Sequence, residues 1–351
     1  MVRKRPKIVF LFPARDAQLC SFTGQEELCK REPVFREVLN RCDEVILREL
    51  GWSIHSKLLK DQNTDEHLEP QLVARRIAFF ELWRSRGITP DGAAGICAGE
   101  IAAGYAAGVL TLENAMDLAC RVSRAIRQKL GAGNVLMLNT SYEKAAIFQT
   151  MAPAHFHLGG EIELNKTFLA CQPEVLESLK MFLAEKEIKF DLTSTEIALH
   201  TPFIDSWKKE FTSPLKGNCN YVANPPIYSC LNGRKLDPAR LDITHWWNIA
   251  RSPVWVVDLF RNILRDEFDT FIVIGNSPGT VQCLQDVASE LHLKINIFLS
   301  KWNKKGSDFL KEPIRSLKNL GYPASQKEES GIKKFVRRFL SLPNVMYTRV
   351  R

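Results

Sequence analysis

At 351 residues the chain can build one large hydrophobic core with a smaller satellite, or two domains, and its 45% hydrophobic and 25% charged content is that of an ordinary globular protein. The net charge of +8 suits an acidic partner without choosing among nucleic acid, a membrane surface and an acidic carrier protein. Nine cysteines, an odd number without a C-x-x-C pair, argue against a disulfide framework or a zinc site and for reduced thiols in a cytoplasmic protein.

The first predicted element is a buried strand over residues 7–12, a continuous apolar run closed by Pro13 and too short for a signal peptide or a membrane span. Amphipathic helices are expected over 24–51, with Val34, Phe35, Val38, Leu39, Cys42, Val45 and Ile46 as the apolar stripe. Another helix is expected over 71–86, stopped by Gly87 and Pro90, and Thr111 is placed to cap a helix over 112–130. From 134 to 192 the order becomes strand, helix, two strands turning at Asn165, helix, strand, which describes a ferredoxin-like (βαββαβ) insert. Strands at 226–230, 270–274 and 295–299 and helices at 254–266 and 307–319 complete an α/β body. The tail after 325 places Ile332, Phe335, Val336, Phe339 and Leu340 on one helical face, opposite Lys333, Lys334, Arg337 and Arg338. It reads as a docked terminal helix or as a basic docking element for an acidic partner or an anionic membrane.

The chemistry centres on Gly95-Ile96-Cys97-Ala98-Gly99-Glu100, which has the shape of a nucleophile elbow, G-x-S-x-G, with cysteine in the serine position. A nucleophile on a sharp strand-to-helix turn needs neighbours without side chains, so that the backbone can pass close by. The Ala98 N–H then faces a developing oxyanion, and the following helix N-terminus favours negative charge at the thiol. By itself such a run of small residues is more often helix packing than catalysis. His155 and His157 form an H-x-H with no further ligand at metal spacing and read as surface residues.

The surroundings of the elbow resemble the acyl-carrier-protein transacylases: the malonyl-CoA transacylases of fatty-acid synthesis and the acyltransferase domains of polyketide synthases. Phe12-Pro-Ala-Arg-Asp-Ala-Gln18 stands where that family has F-P-G-Q-G-S-Q. The family's G-H-S-x-G-E and the I-A-A-x-x-x-A-G-x-L-x-L-E-x-A after it match residues 95–115. Residues 246–254 resemble W-x-x-x-x-x-x-P-V, and 271–275 resemble F-x-E-x-G. The resemblance implies an α/β-hydrolase-like body with a parallel sheet over 1–132 and 200–321, the ferredoxin-like insert over 133–199, and the basic tail over 322–351. It implies Cys97 as nucleophile and His200 as base, with the loop at 275–278 offering a carbonyl to the second ring nitrogen of His200. The backbone amides of Arg15 and Ala98 become the oxyanion donors, and no metal or cofactor is called for.

The departures from the family pattern bear on the substrate. Cys97 makes the acyl-enzyme a thioester, like donor and acceptor, so both transfers become nearly isoenergetic. Ile96 replaces the histidine beside the nucleophile, and Ala14 and Asp16 replace the loop glycines. The carboxylate-pairing arginine of malonyl enzymes falls at Val122, and Arg121 and Arg124 flank it on other faces of the helix. Ile197-Ala-Leu199-His200 differs from both H-A-F-H and Y-A-S-H. Ile96, Val122, Ile197 and Leu199 are therefore expected to form an apolar acyl pocket. The sequence reading is a stand-alone acyltransferase moving a non-malonyl acyl group between CoA or acyl-carrier-protein thiols, with neither nucleic acid nor a membrane span involved. A thioesterase of the same fold and a silent scaffold that binds a carrier protein stay open beside it, Cys97 being an inert thiol in the latter.

Overall fold

The computed structural model describes residues 5–14, 25–55, 65–128, 133–150, 156–193, 197–215, 223–237, 241–275, 277–300 and 310–323. The basic tail from residue 324 onward and Arg15 lie outside them. Strand β1 (Ile8–Phe12) is buried along its whole length, and its side chains alternate between two cores. Helices α1 (Gln25–Arg31) and α2 (Pro33–Leu50) follow. The buried residues of α2 are the seven of the expected stripe, and the helix closes on Gly51 with a left-handed φ of 74°. Helix α3 (Asp65–Ser85) begins earlier than residue 71 and carries Pro70 inside it. Its residues are buried almost without interruption from His67 to Trp83, and that burial outweighs the one hydrogen bond a proline removes.

Strand β2 (Gly92–Gly95) leads through the elbow into α4 (Gly99–Ala106) and α5 (Leu112–Arg127). Thr111 caps α5 as expected, its hydroxyl accepting from the Asn114 N–H at 3.1 Å. The next elements occur in the predicted order: β3 (Asn134–Leu138), α6 (Tyr142–Gln149), β4 (Phe156–Glu163), β5 (Lys166–Cys171), α7 (Leu176–Glu185) and β6 (Phe190–Leu192). Asn165, at the turn between β4 and β5, has a φ of 57°. A 3-10 segment (Pro202–Trp207) and α8 (Lys208–Phe211) return the chain to the larger sheet through β7 (Ile227–Ser229) and β8 (Arg234–Lys235). Helix α9 (Ile243–Arg251), β9 (Val254–Trp255), α10 (Val256–Arg265), β10 (Thr270–Val273), α11 (Pro278–Glu290), β11 (Asn296–Leu299) and α12 (Lys311–Asn319) complete the described chain. Among these, the 3-10 segment, α8, β8 and α9 have no counterpart in the sequence reading.

The larger sheet has the order β11-β10-β1-β2-β7-β8, parallel except for β8, which runs antiparallel to β7. One core packs on each face. Phe10 and Phe12 meet Phe80 on the side of α2, α3 and α5, while Val9 and Leu11 join Phe260 and Phe271 on the other. The smaller sheet has the order β6-β3-β5-β4-β9. Its last strand comes from the chain of the larger body: residues 254–255, expected to open a helix, instead pair parallel with β4. The join is tight, because a Cβ on Gly160 (φ 119°) would lie 2.0 Å from the Val254 carbonyl oxygen. Only glycine lets the two backbones approach that closely.

The elbow is equally crowded. A Cβ on Gly95 would stand 2.2 Å from Glu100 Cα, and one on Gly99 would stand 2.2 Å from the Phe12 carbonyl oxygen. Both obstacles are backbone, which no side-chain rotation relieves. Gly99→Ala is expected to cost roughly 3 kcal/mol or more of stability, since α4 must separate from the end of β1. Urea denaturation of purified protein checks this; a midpoint within error of wild type would show that the elbow has slack.

Candidate active site

Cys97 sits between β2 and α4, at the carboxyl ends of parallel strands, where open α/β sheets place their sites. Its φ of 53° is left-handed, and so is that of His200, at 63°. The other four non-glycine residues of this kind among the described ones are Asn165 in its turn and Glu187, Glu267 and His292 just past helix ends. Each such backbone costs on the order of 1–3 kcal/mol unless its surroundings fix it. The surroundings of Cys97 are specific. The Ile96 N–H donates to the Phe12 carbonyl at 3.0 Å, and the Cys97 N–H donates to Cys230 Sγ at 3.4 Å.

His200 Nε2 lies 3.2 Å from Cys97 Sγ. Its Nδ1 lies 3.2 Å from the Ser252 carbonyl, and its backbone N–H donates to the Ala250 carbonyl at 2.7 Å. A carbonyl only accepts, so Nδ1 carries the proton and Nε2 presents its lone pair to the thiol. The orienting carbonyl thus belongs to the end of α9 and not, as the family resemblance implied, to the loop at 275–278. The physical reason is β9: pairing with β4 draws Ser252 across the back of the imidazole. Burial drives the His200 pKa down to about 4, against the opposing effect of its carbonyl contacts. Near neutral pH the imidazole is uncharged and competent to take a proton.

Behind the elbow lies a fully buried carboxylate. Glu100 accepts from His245 Nε2 at 2.8 Å, Ser229 Oγ at 2.9 Å and the Cys230 N–H at 3.2 Å, with the Cys230 thiol at 3.6 Å. This network ties α4 to β7 and α9, and through Cys230 it reaches the backbone of Cys97. The elbow motif exposed Glu100 to sequence reasoning, but nothing in the sequence paired it with His245, 145 positions away.

In front of Cys97 opens a cavity of about 290 Å³ between the two sheets. Ile96, Ile197 and Leu199 line it as expected, together with Cys97 and His200. Val122 does not. It is buried in the core that α5 shares with α2 and α3. Arg121 and Arg124 are also directed elsewhere. Arg121 pairs with Asp117 at 2.7 Å and donates to the carbonyls of Phe211, Ser213 and Pro214, and Arg124 pairs with Glu210 at 2.9 Å. The sequence reading missed Val135, Met137 and Phe168, the wall supplied by the smaller sheet. Only the packing of one sheet on the other brings them to Cys97. Ala98 is the N-cap residue just before α4, and its N–H donates to no other described residue. Ala14, beside Arg15, lines the cavity and is held by Arg76 Nη2 on its carbonyl at 2.9 Å. His157 packs edge-on to Phe203, half-buried, and the described residues contain no cluster suited to a metal.

Residues 9–324 match the profile of the family described as Acyl transferase domain. The chain belongs to that family. It is an acyltransferase, similar at 26% identity over 317 residues to erythronolide synthase EryA2 of Saccharopolyspora erythraea, with 88% of this chain and 9% of that protein covered. It is similar at 28% identity to the spectinabilin polyketide synthase system protein NorA of Streptomyces orinoci, covering 82% of this chain and 15% of that protein. The acyltransferase therefore spans a small fraction of the length of these relatives. Among solved structures, the loading acyltransferase from the avermectin modular polyketide synthase superposes with a TM-score of 0.74 at 22% identity, covering 89% of this chain and 99% of that one. The malonyl CoA-acyl carrier protein transacylase from Clostridium perfringens superposes with a TM-score of 0.75 at 16% identity, covering 90% and 99%. These superpositions establish the fold.

The low His200 pKa has a measurable consequence. Between pH 6.5, where an unfolded histidine titrates, and about 4, the unfolded acyltransferase binds one proton more than the folded one. Stability from this group is complete above pH 6.5 and is lost as pH falls through that window, by about 3 kcal/mol in all. Replacing His200 with Gln is expected to flatten this part of the stability curve, read by denaturant unfolding at pH 7.5, 6 and 4.5. An unchanged slope would mean that His200 titrates normally.

Proposed function

We propose that this acyltransferase moves an uncharged acyl group between CoA or acyl-carrier-protein thiols through a thioester on Cys97. The observation that carries the reading is the 3.2 Å contact between Cys97 Sγ and His200 Nε2, opening on a cavity whose described wall holds no arginine or lysine. In this reading residues 1–132 and 200–321 form an α/β-hydrolase-like body and 133–199 a ferredoxin-like insert. His200 Nε2 accepts the Cys97 proton as the sulfur attacks the carbonyl carbon of a bound thioester. The C=O electrons move onto oxygen, which the Ala98 N–H receives, with the backbone N–H of Arg15 as the second donor. Collapse expels the donor thiolate, and His200 returns the proton to it. A second thiol then attacks the acyl-cysteine by the same steps in reverse order. Thioester is exchanged for thioester at each stage, so neither transfer is strongly downhill.

The alternatives differ in their last step. Attack by water would make the protein a thioesterase, and a scaffold would form no acyl-enzyme. The contact between Cys97 and His200 favours an enzyme over a scaffold, because a retired site has no need to keep two left-handed residues in hydrogen-bond reach. The net charge of +8 suits an acidic carrier protein as the acceptor.

Incubation with a panel of acyl-CoA and acyl-carrier thioesters should add one acyl mass to the intact protein. Peptide mapping should place it on Cys97, and Cys97→Ala should take up none. Equal labelling of that variant would remove Cys97 from the mechanism. In a competition, neutral acyl groups should be preferred over malonyl by roughly two to three orders of magnitude, the effect of about 3–5 kcal/mol for burying an unpaired charge. A malonyl-enzyme that forms as fast as any neutral acyl-enzyme would sink the selectivity.

A further inference from the structure

The cavity wall is mostly apolar, with one charged exception. Among its described residues, Glu163 at the end of β4 is the only acidic side chain, and none is a lysine or an arginine. Glu163 Oε2 pairs with Lys166 Nζ at 2.7 Å across the turn to β5. Lys166 is 42% exposed and stands outside the wall, whereas the carboxylate, 26% exposed, belongs to it. The other oxygen is turned to the start of α11: a Cβ built on Gly279 would lie 2.8 Å from Glu163 Oε1. Gly279 is the second residue of a thirteen-residue helix. Unpaired N–H groups and the aligned peptide dipoles make such a position favourable for an anion. Ser277 and Thr280, on the same first turn, also line the cavity. Away from the elbow, then, the described place in the wall best suited to a substrate carboxylate already holds one from the protein. Its field reaches along α11, where it adds to burial in pushing the Cys283 thiol up to about 12.

We propose that Glu163 is a specificity-determining residue, whose carboxylate occupies the start of α11 and keeps negatively charged acyl groups out of the cavity. The word acyl rests on the function proposed above; the exclusion of anions by Glu163 does not. Selectivity of this kind has two sources. Missing cations leave an anionic group unpaired, and Glu163 adds repulsion, so a neutral side chain at 163 should relax the preference without abolishing it.

Iodoacetamide and iodoacetate separate the two questions. Each forms a carbon–sulfur bond at a cysteine while the carbon–iodine bond breaks, releasing iodide and the thiol proton. The two reagents are similar in size and differ by one negative charge. Their rates at Cys97, followed by peptide mass spectrometry on the full chain and divided by their rates with glutathione, give a ratio that reports charge exclusion alone. Wild type should favour iodoacetamide beyond the glutathione reference. Glu163→Gln should lower the ratio by about fivefold, the order expected for one screened charge across a cavity of this size. An unchanged ratio in that variant overturns the proposal. If Glu163→Gln does not fold, Lys166→Met serves instead: with its partner gone the carboxylate should raise the ratio about twofold, and a ratio that stays or falls overturns the proposal. Failure of wild type to take any acyl group while Cys97 still alkylates with this selectivity would remove the proposed function and leave the role of Glu163 standing.

Discussion

Glu100 carries a carboxylate with no exposure to solvent, and the elbow is built around it. Taking such a group out of water costs several kcal/mol unless hydrogen bonds replace the lost hydration. Here the donors come from three directions: His245 on α9, Ser229 at the end of β7, and Cys230 just after it. The stabilisation is therefore conditional on the fold. Only when α4, β7 and α9 are assembled is the carboxylate satisfied, and only then does Cys230 Sγ stand behind the Cys97 N–H. Losing one donor would leave a buried, under-solvated group, so the network resists partial opening.

The elbow needs such support because its own geometry is costly. Cys97 and His200 both hold left-handed backbones, and the two glycines beside Cys97 leave no room for a Cβ. His200 is fixed by two bonds to the last turn of α9 and the residue after it, at the Ala250 and Ser252 carbonyls. Glu100 and His200 thus depend on the same helix. Helix α9 positions the buried carboxylate through His245 and the imidazole through its C-terminal carbonyls, which couples the two halves of the site.

The cavity is a product of sheet packing. Strand β9 extends the smaller sheet with two residues from the larger body, and the bare backbone at Gly160 lets it approach. That join brings Val135, Met137 and Phe168 across from Ile96 and Leu199. The result is apolar on both sides, with a single carboxylate at its edge.

Much of this was legible in the sequence where local physics decides. The apolar run at 8–12, the stripe on α2, the Thr111 cap and the element order from 134 to 192 follow from periodicity and capping, which act within a few residues. The elbow was legible for the same reason: two glycines and a thiol at fixed spacing specify a crowded turn. Family resemblance, not periodicity, singled out His200 as the partner of Cys97. Long-range packing decided the rest. Val122 was placed in the pocket by counting along a helix, yet counting does not give the rotation of α5, and Val122 is buried in the core that α5 shares with α2 and α3. Ser252 became the imidazole's acceptor because a two-residue strand left the body to join the other sheet. Glu163 entered the wall because β4 ends against α11, more than a hundred residues later in the chain. A sequence fixes which side chains are available within a turn or a strand; which of them share a cavity depends on contacts made only when distant segments pack together.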